Sequence, residues 1–191
     1  MKTAIIIPAR MASKRFPNKP MAKINGIPMI ERVWKQGINS KVGDVFVACC
    51  EAEVYDLITA KGGIAIMTNP DLPSGTDRVY AAFNKINNKE DYTSIINLQG
   101  DMPLIDPSII ERVNIPLSNG YEIGTIATDL NEDEEKNKNI TKVIINWKQK
   151  NQIGESIDFF KSTQRHNSKI YQHVGIYSFK PIMLRKFVSL E

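Results

Sequence analysis

The sequence predicts an α/β fold: a doubly wound, mostly parallel sheet with a smaller antiparallel portion near the C-terminus. Two observations support this fold class. Up to about residue 120, short and almost continuously apolar runs such as TAIII (residues 3–7) alternate with stretches of helical spacing, a pattern typical of parallel strands buried on both faces. Beyond that point, strand-like runs follow one another without long helices between them. We therefore expect an α/β body over residues 1–120 and a partial antiparallel portion over residues 121–191.

Each element of the body is predicted from its apolar spacing and from the residues that end it. Gly62 and Gly63 end the second helix, and Pro107 suits the first turn of the fourth. The predicted strands span residues 3–7, 44–50, 64–68 and 92–98, and the predicted helices span residues 28–37, 51–61, 76–84 and 107–117. In the later portion, the predicted strands span residues 122–130, 140–147 and 170–180, with the acidic segment 131–139 as a solvated loop.

Composition narrows the classes of function. The 191 residues suffice for one substantial domain, or for one domain with a small appendage. The net charge of +4 is spread along the chain, so it does not by itself indicate a nucleic-acid partner. Cys49 and Cys50 are adjacent and match neither a zinc site nor a disulfide framework. Because no apolar run has the length of a signal peptide or a membrane span, we expect a reduced, cytoplasmic protein that binds no membrane.

Positive charge gathers in residues 8–20, which follow the first predicted strand and are called the basic loop below. Its sequence, PARMASKRFPNKP, matches neither the glycine-rich phosphate loop nor the dinucleotide fingerprint. Fixed cations and free backbone N–H groups at the carboxyl end of a parallel strand nevertheless suit a polyphosphate. The alternative is a solvated loop without function. The four cations of this loop are Arg10, Lys14, Arg15 and Lys19.

Two further loops are expected at the same edge of the sheet. In residues 73–78 (PSGTDR), Ser74 or Thr76 can cap the following helix, and Gly75 permits close approach of the backbone to a ligand. In residues 97–103 (NLQGDMP), Asp101 follows a buried strand, where a carboxylate beside a phosphate suits Mg²⁺. Asp101 is alternatively only a turn residue. Taken together, the three loops predict a magnesium-dependent site for a nucleoside triphosphate.

Several motifs occur together, in the order and with the spacing of one enzyme family. They are IPAR (residues 7–10), SGTDR (74–78), NLQGDMP (97–103) and HVGIYSF (173–179). With these motifs the chain resembles the 3-deoxy-manno-octulosonate cytidylyltransferases, or CMP-Kdo synthetases, over essentially its whole length. The resemblance implies a nucleotidyltransferase that moves CMP from CTP to 3-deoxy-D-manno-octulosonate (Kdo), releases pyrophosphate and serves lipopolysaccharide synthesis. It also implies Mg²⁺ as cofactor and a homodimer formed through the later antiparallel portion, which also takes part in binding the sugar.

The resemblance further implies roles for individual residues. Arg10, Lys19 and Asp101 would be the catalytic residues, with Asp101 as the magnesium ligand. The sugar acid would contact Arg78, Gln99, His173 and Tyr177, although His173 judged by its residue type alone would be a buried structural histidine. The nucleotide would be held by Pro8, Ala9, Arg10, Ser13, Arg15, Lys19, Ser74, Gly75 and Thr76.

Departures from the family pattern leave two alternatives open. Cys49 and Cys50 stand where the family has Thr-Asp, and Lys161 is the cation nearest to a place where the family has Arg. The family also continues beyond position 191 into a segment whose Asp is a second magnesium ligand, so we expect this chain to lack that C-terminal part. One alternative is therefore a catalytically impaired member that at most binds nucleotide. The other is a cytidylyltransferase for another sugar acid such as sialic acid, against which HVGIY argues.

Overall fold

The computed structural model describes residues 1–11, 16–149, 152–162 and 168–190. The chain divides into two compact units, one of residues 1–124 and 176–191 and one of residues 125–175. The sequence predicted a single division near residue 120. The structure differs from this prediction because the last strand leads the chain back into the first unit, where the C-terminal helix also packs.

The strands are β1 (Thr3–Pro8), β2 (Lys23–Ile24), β3 (Ile27–Pro28), β4 (Asp44–Cys49), β5 (Ile64–Met67), β6 (Ser94–Asn97), β7 (Ile123–Thr128), β8 (Lys142–Gln149), β9 (Ile153–Phe160) and β10 (Ile170–Phe179). The α-helices are α1 (Met29–Ser40), α2 (Ala52–Ala60), α3 (Gly75–Phe83), α4 (Pro107–Arg112), α5 (Ile115–Ser118), α6 (Glu132–Lys136) and α7 (Pro181–Val188).

In the first unit, four parallel strands lie in the order β5, β4, β1, β6. The end of β10, Tyr177–Phe179, pairs with β6 in the antiparallel direction. Strand order runs outward from β1 in both directions, because β4 and β5 lie on one side of β1 and β6 lies on the other. This arrangement confirms the predicted mostly parallel α/β sheet with antiparallel strands towards the C-terminus.

Helices cover both faces of this sheet because successive residues of a buried strand point to opposite sides. On one face, Ala4 and Ile6 of β1 pack with Val79 of α3 and Leu184 of α7. On the other face, a Cβ placed on Gly37 of α1 would meet the side chains of Val45 and Ile5. The almost continuously apolar runs of β1 and β4 are therefore explained by burial on two sides.

Several elements differ from the predictions. The predicted helix over residues 107–117 is interrupted between α4 and α5, because Pro116 in the first turn of α5 lacks the N–H that a continuous helix would need. The segment predicted as a solvated loop contains α6, which a reciprocal pair of bonds between Asn131 and Glu134 stabilises at its start. Strand β9 and helix α7 were not predicted.

The second unit is built on antiparallel pairing of β8 with β9, and of β8 with residues 170–172 of β10. Trp147 Nε1 donates to Tyr171 Oη over 3.0 Å, and the two rings meet edge to face. Lys142 is fully buried, and its ammonium donates to the carbonyls of Asn137 and Ile140. Within the described part of both units, no helix combines the length and the apolar character needed to cross a bilayer.

Candidate active site

The change of direction in strand order lies between β1 and β6, and ligands of open α/β sheets bind at the carboxyl ends of strands at such a point. The loops that leave these two strands come very close together. A Cβ built on Gly100 would lie only 2.6 Å from the carbonyl oxygen of Pro8, so a side chain at position 100 would push the loops apart. The basic loop and the loop carrying Asp101 therefore share one edge of the sheet.

Lys19 and Asp101 meet at this edge. The distance from Lys19 Nζ to Asp101 Oδ2 is 2.6 Å, and both side chains remain partly accessible to solvent. Asn18 precedes Lys19 in the left-handed conformation with φ of 55°, and a single 3₁₀ turn starts at Lys19. This backbone turn directs Lys19 back towards the end of β6. A cation and a carboxylate predicted for the same site are thus brought together.

The rest of the basic loop begins as a continuation of β1. Ala9 is buried, and its N–H donates to the carbonyl of Ala48 in β4 over 2.8 Å. Pro8 is half-buried, and the Arg10 side chain is exposed beyond it. Ser13 and Arg15, which the sequence predicted to bind nucleotide, lie outside the described residues.

The start of α3 borders the same edge. Ser74 Oγ accepts hydrogen bonds from the N–H groups of Thr76 and Asp77 over 3.1 and 3.2 Å, which makes Ser74 the helix cap. A Cβ on Gly75 would lie 3.4 Å from Pro8 Cγ and 3.6 Å from Gln99 Oε1. The structure therefore assembles Pro8, Gly75 and Gln99 as direct neighbours.

Asn97 is a residue of this site that the sequence reasoning missed. Its side chain is fully buried at the end of β6. It donates to Thr76 Oγ1 over 3.2 Å and accepts from Gln99 Nε2 over 2.9 Å. Asn97 thus fixes Thr76 and Gln99 relative to each other. A lone amide at the end of an otherwise apolar buried strand was the available signal, because a buried amide needs partners.

Arg78 is placed differently from an exposed ligand-binding arginine. It is 1% exposed, and its guanidinium donates to Thr68 Oγ1 and to the carbonyls of Asn69 and Pro70. In this position Arg78 holds the loop after β5 against α3. Contact of Arg78 with a sugar acid stays a prediction.

Cys49 is the last residue of β4, and Cys50 follows it directly. Burial is the main cause that raises the pKa of Cys49 to about 11, with the neighbouring Cys50 and Glu51 adding to it. Burial also raises the pKa of Cys50 to about 11, and the adjacent Glu51 carboxylate reinforces the effect. Both thiols are therefore protonated at neutral pH.

The two remaining predicted site residues lie in different units. Tyr177, in the first unit, is opposite Asn97 in the β10–β6 register, and burial raises its pKa. His173, in the second unit, has its Nε2 2.9 Å from Thr125 Oγ1 and its ring against Phe159. Burial lowers the pKa of His173, so its imidazole is neutral at physiological pH.

The donor set can be tested against Mg²⁺. Among the described residues, no three His, Cys, Asp or Glu side chains lie close enough together to hold a metal ion by themselves. Asp101 instead offers one accessible carboxylate beside the basic loop. Magnesium commonly takes one or two carboxylates and completes its shell with phosphate oxygens and water. The site therefore fits a magnesium ion that arrives with a polyphosphate.

Comparison with known proteins gives one consistent picture. The sequence profile described as "Cytidylyltransferase" matches residues 4–191. The 3-deoxy-manno-octulosonate cytidylyltransferase of Paramagnetospirillum magneticum is 42% identical over 97% of this chain and 77% of its own length. The enzyme of the same name from Rhodospirillum rubrum is 36% identical over 97% of this chain and 75% of its own length.

Solved structures agree with these relatives. One is the structure of CMP:2-keto-3-deoxy-manno-octonic acid synthetase in complex with CTP, which is 30% identical and superposes with a TM-score of 0.89. The superposition covers the whole of this chain and 79% of the synthetase chain. A cytidylyltransferase from Leptospira borgpetersenii shares the fold, with a TM-score of 0.62 at 19% identity. That superposition covers all of this chain and 65% of the Leptospira chain.

Proposed function

Because the chain belongs to the 3-deoxy-manno-octulosonate cytidylyltransferase family, we propose that it transfers CMP from CTP to Kdo and releases pyrophosphate. The observation that carries this proposal is the meeting of Lys19 and Asp101 at the change of strand order, beside Pro8 and Gly75. At this edge a cation, a carboxylate and closely packed backbone lie together, which supports binding of a triphosphate. With CTP as the substrate, we expect the reaction to take place in the cytoplasm, and its product to serve lipopolysaccharide synthesis.

In the proposed reaction, the anomeric hydroxyl oxygen of Kdo attacks the α-phosphorus of CTP. A new O–P bond forms, the bond between the α-phosphorus and its bridging oxygen breaks, pyrophosphate leaves, and the hydroxyl proton passes to solvent. Lys19 and Arg10 neutralise the triphosphate and hold the α-phosphorus in line with the attacking oxygen. A magnesium ion held by Asp101 and phosphate oxygens would supply further neutralisation of charge at the phosphates.

Binding of the triphosphate must break the ion pair of Lys19 with Asp101. When the triphosphate enters, its oxygens replace the Asp101 carboxylate as partner of the Lys19 ammonium, and the freed carboxylate would be available to hold a magnesium ion. Both side chains are accessible enough for this exchange. Gln99, Tyr177, His173 and Arg78 stay our proposed contacts for the sugar acid.

The test is release of pyrophosphate by the purified chain with CTP, Kdo and Mg²⁺. We expect turnover that depends on all three. A folded chain that binds CTP but releases no pyrophosphate would instead support the catalytically impaired alternative, which the thiol of Cys50 in place of a family carboxylate favours. Faster turnover with sialic acid than with Kdo would favour the other sugar acid.

We also propose that the chain forms a homodimer through the second unit. In β9, the side chains of Ile157 and Phe159 are 61% and 46% exposed, and apolar side chains exposed together favour a protein partner. Light scattering should give twice the mass of one chain, and Ile157→Lys together with Phe159→Lys should give the mass of a single chain. A wild-type mass of one chain would contradict the homodimer.

A further inference from the structure

Glu51 contacts the basic loop where the β1–β4 ladder ends. Ala9 N donates to Ala48 O, and two residues later Met11 N donates to Glu51 Oε1 over 2.9 Å. Alternate N–H groups of a strand face the same neighbour. By position 51 the backbone is already turning into α2, so the Glu51 carboxylate takes the place of the next backbone carbonyl.

Met11 also closes the basic loop. Its carbonyl accepts a hydrogen bond from Asn18 N over 3.0 Å, so Met11 is bound through both its N–H and its C=O. Asn18 is the left-handed residue from which Lys19 turns towards Asp101. Arg10 directly precedes Met11. One carboxylate therefore contacts Met11, which is in turn bonded to Asn18 in the later part of the basic loop.

We propose that Glu51 is a positioning residue for CTP binding, because its carboxylate fixes Met11 and thereby the placement of Arg10 and Lys19. This inference rests on the proposed function. A bond from a backbone N–H to a carboxylate is charge-assisted and stronger than a bond between neutral groups. A loop held in its binding conformation loses less freedom when the ligand arrives. Glu51 acts through the loop and touches no reacting atom.

A role confined to helix stability does not account for this contact. Glu51 is the residue that precedes α2, yet its side chain makes no cap bond to that helix. The carboxylate is directed to a different segment, 40 residues earlier in the sequence. Glu53, exposed in the first turn of the same helix, has the same charge near the same helix end and is the matched control.

The experiment compares Glu51→Ala, Glu51→Asp, Glu51→Gln and Glu53→Ala with the wild type. We expect Glu51→Ala to raise the KM for CTP, and the dissociation constant for CTP by calorimetry, by about tenfold. The fall in kcat should be much smaller. Glu51→Asp keeps the charge but is shorter, so it should move both constants in the same direction. Gln has an oxygen that can accept the same bond but lacks the charge, so Glu51→Gln should recover part of the loss.

Amide hydrogen exchange of residues 9–11 gives a readout that is independent of turnover. Exchange at Met11 should accelerate in Glu51→Ala and Glu51→Asp but not in Glu53→Ala. Unchanged CTP affinity and exchange in both shortened variants would overturn the inference, as would an equal effect of Glu53→Ala. If the wild type releases no pyrophosphate, the proposed function fails, while calorimetry and exchange still decide the role of Glu51.

Discussion

Lys19 Nζ lies 2.6 Å from Asp101 Oδ2, although the two residues follow different strands and are 82 positions apart. The contact exists because β1 and β6 are neighbours in the sheet and their loops leave from the same edge. Since both side chains are partly solvated, the pair is expected to contribute less than about 1 kcal/mol to the free energy of unfolding. We therefore expect these two residues to matter for activity at the site rather than for the stability of the fold.

Lys19→Met and Asp101→Asn should separate the effect of this ion pair on activity from its effect on the free energy of unfolding. Each variant should unfold within about 1 kcal/mol of the wild type in urea. Each should lower kcat/KM for pyrophosphate release by about 100-fold or more, because charge stabilisation of the phosphates is lost. Lys2→Met is the control, since it removes the comparably exposed ion pair of Lys2 with Asp91. An Asp101→Asn enzyme with most of its rate would exclude Asp101 from the metal role.

Gly100→Ala and Gly75→Ala form a second matched pair. At Gly100 a methyl group would approach Pro8 O to 2.6 Å, whereas at Gly75 the closest atom is Pro8 Cγ at 3.4 Å. Gly100→Ala should therefore lower both activity and the free energy of unfolding, the latter by about 1–3 kcal/mol. Gly75→Ala should fold as stably as the wild type but bind CTP more weakly if the ligand approaches this backbone. Thermal unfolding and calorimetry distinguish the two results, and equal stability of both variants would contradict the steric argument.

Arg78→Met should destabilise the first unit. The guanidinium is 1% exposed and donates to Thr68, Asn69 and Pro70, so its loss leaves polar groups of the loop after β5 without their donor. We expect a loss of about 2–4 kcal/mol in urea unfolding, against almost none for the exposed Arg112→Met. Arg78→Lys has no planar fork with which to reach all three acceptors and should recover only part of the loss. In the variant that folds best, a rise of the KM for Kdo without a rise for CTP would support the predicted sugar contact.

Glu31 gives a prediction for the pH dependence of stability. Its carboxylate is 5% exposed and lies 2.8 Å from Lys35 and 3.5 Å from Lys61. The bond to Lys35 is the main cause that lowers the pKa of Glu31, while burial opposes it. A carboxyl group with a lowered pKa in the folded state stabilises the protein above its unfolded pKa, and this stabilisation is lost as pH falls through the folded value.

Glu31→Gln should therefore unfold about 1–2 kcal/mol more easily than the wild type at neutral pH. The difference should shrink as pH falls below the ordinary glutamate value of 4.5. Urea titrations at several pH values provide the measurement, with the exposed Glu53→Gln as control. A difference between Glu31→Gln and the wild type that grows on acidification would show that the sign of this linkage is wrong.

Sequence patterns were sufficient where local composition and tertiary environment agree. The strands β1, β4 and β6 are buried on both faces, and β1 and β4 are apolar at almost every position; all three were predicted within two residues at each end. Strand β9 was missed because most of its side chains are exposed, so it lacks the continuous apolar run of a buried strand. The interruption between α4 and α5 depends on Pro116 within an otherwise helical run, and a proline inside such a run ends some helices and only bends others.

By itself, the sequence determined the α/β class, the basic loop, the two glycine-containing loops and the resemblance to cytidylyltransferases, because these depend on residue types at short spacings. Only the tertiary structure decided which side chains meet. It paired Lys19 with Asp101, buried Arg78 against the loop after β5 and placed Glu51 on Met11. These contacts join residues far apart in sequence, and strand order and register determine them.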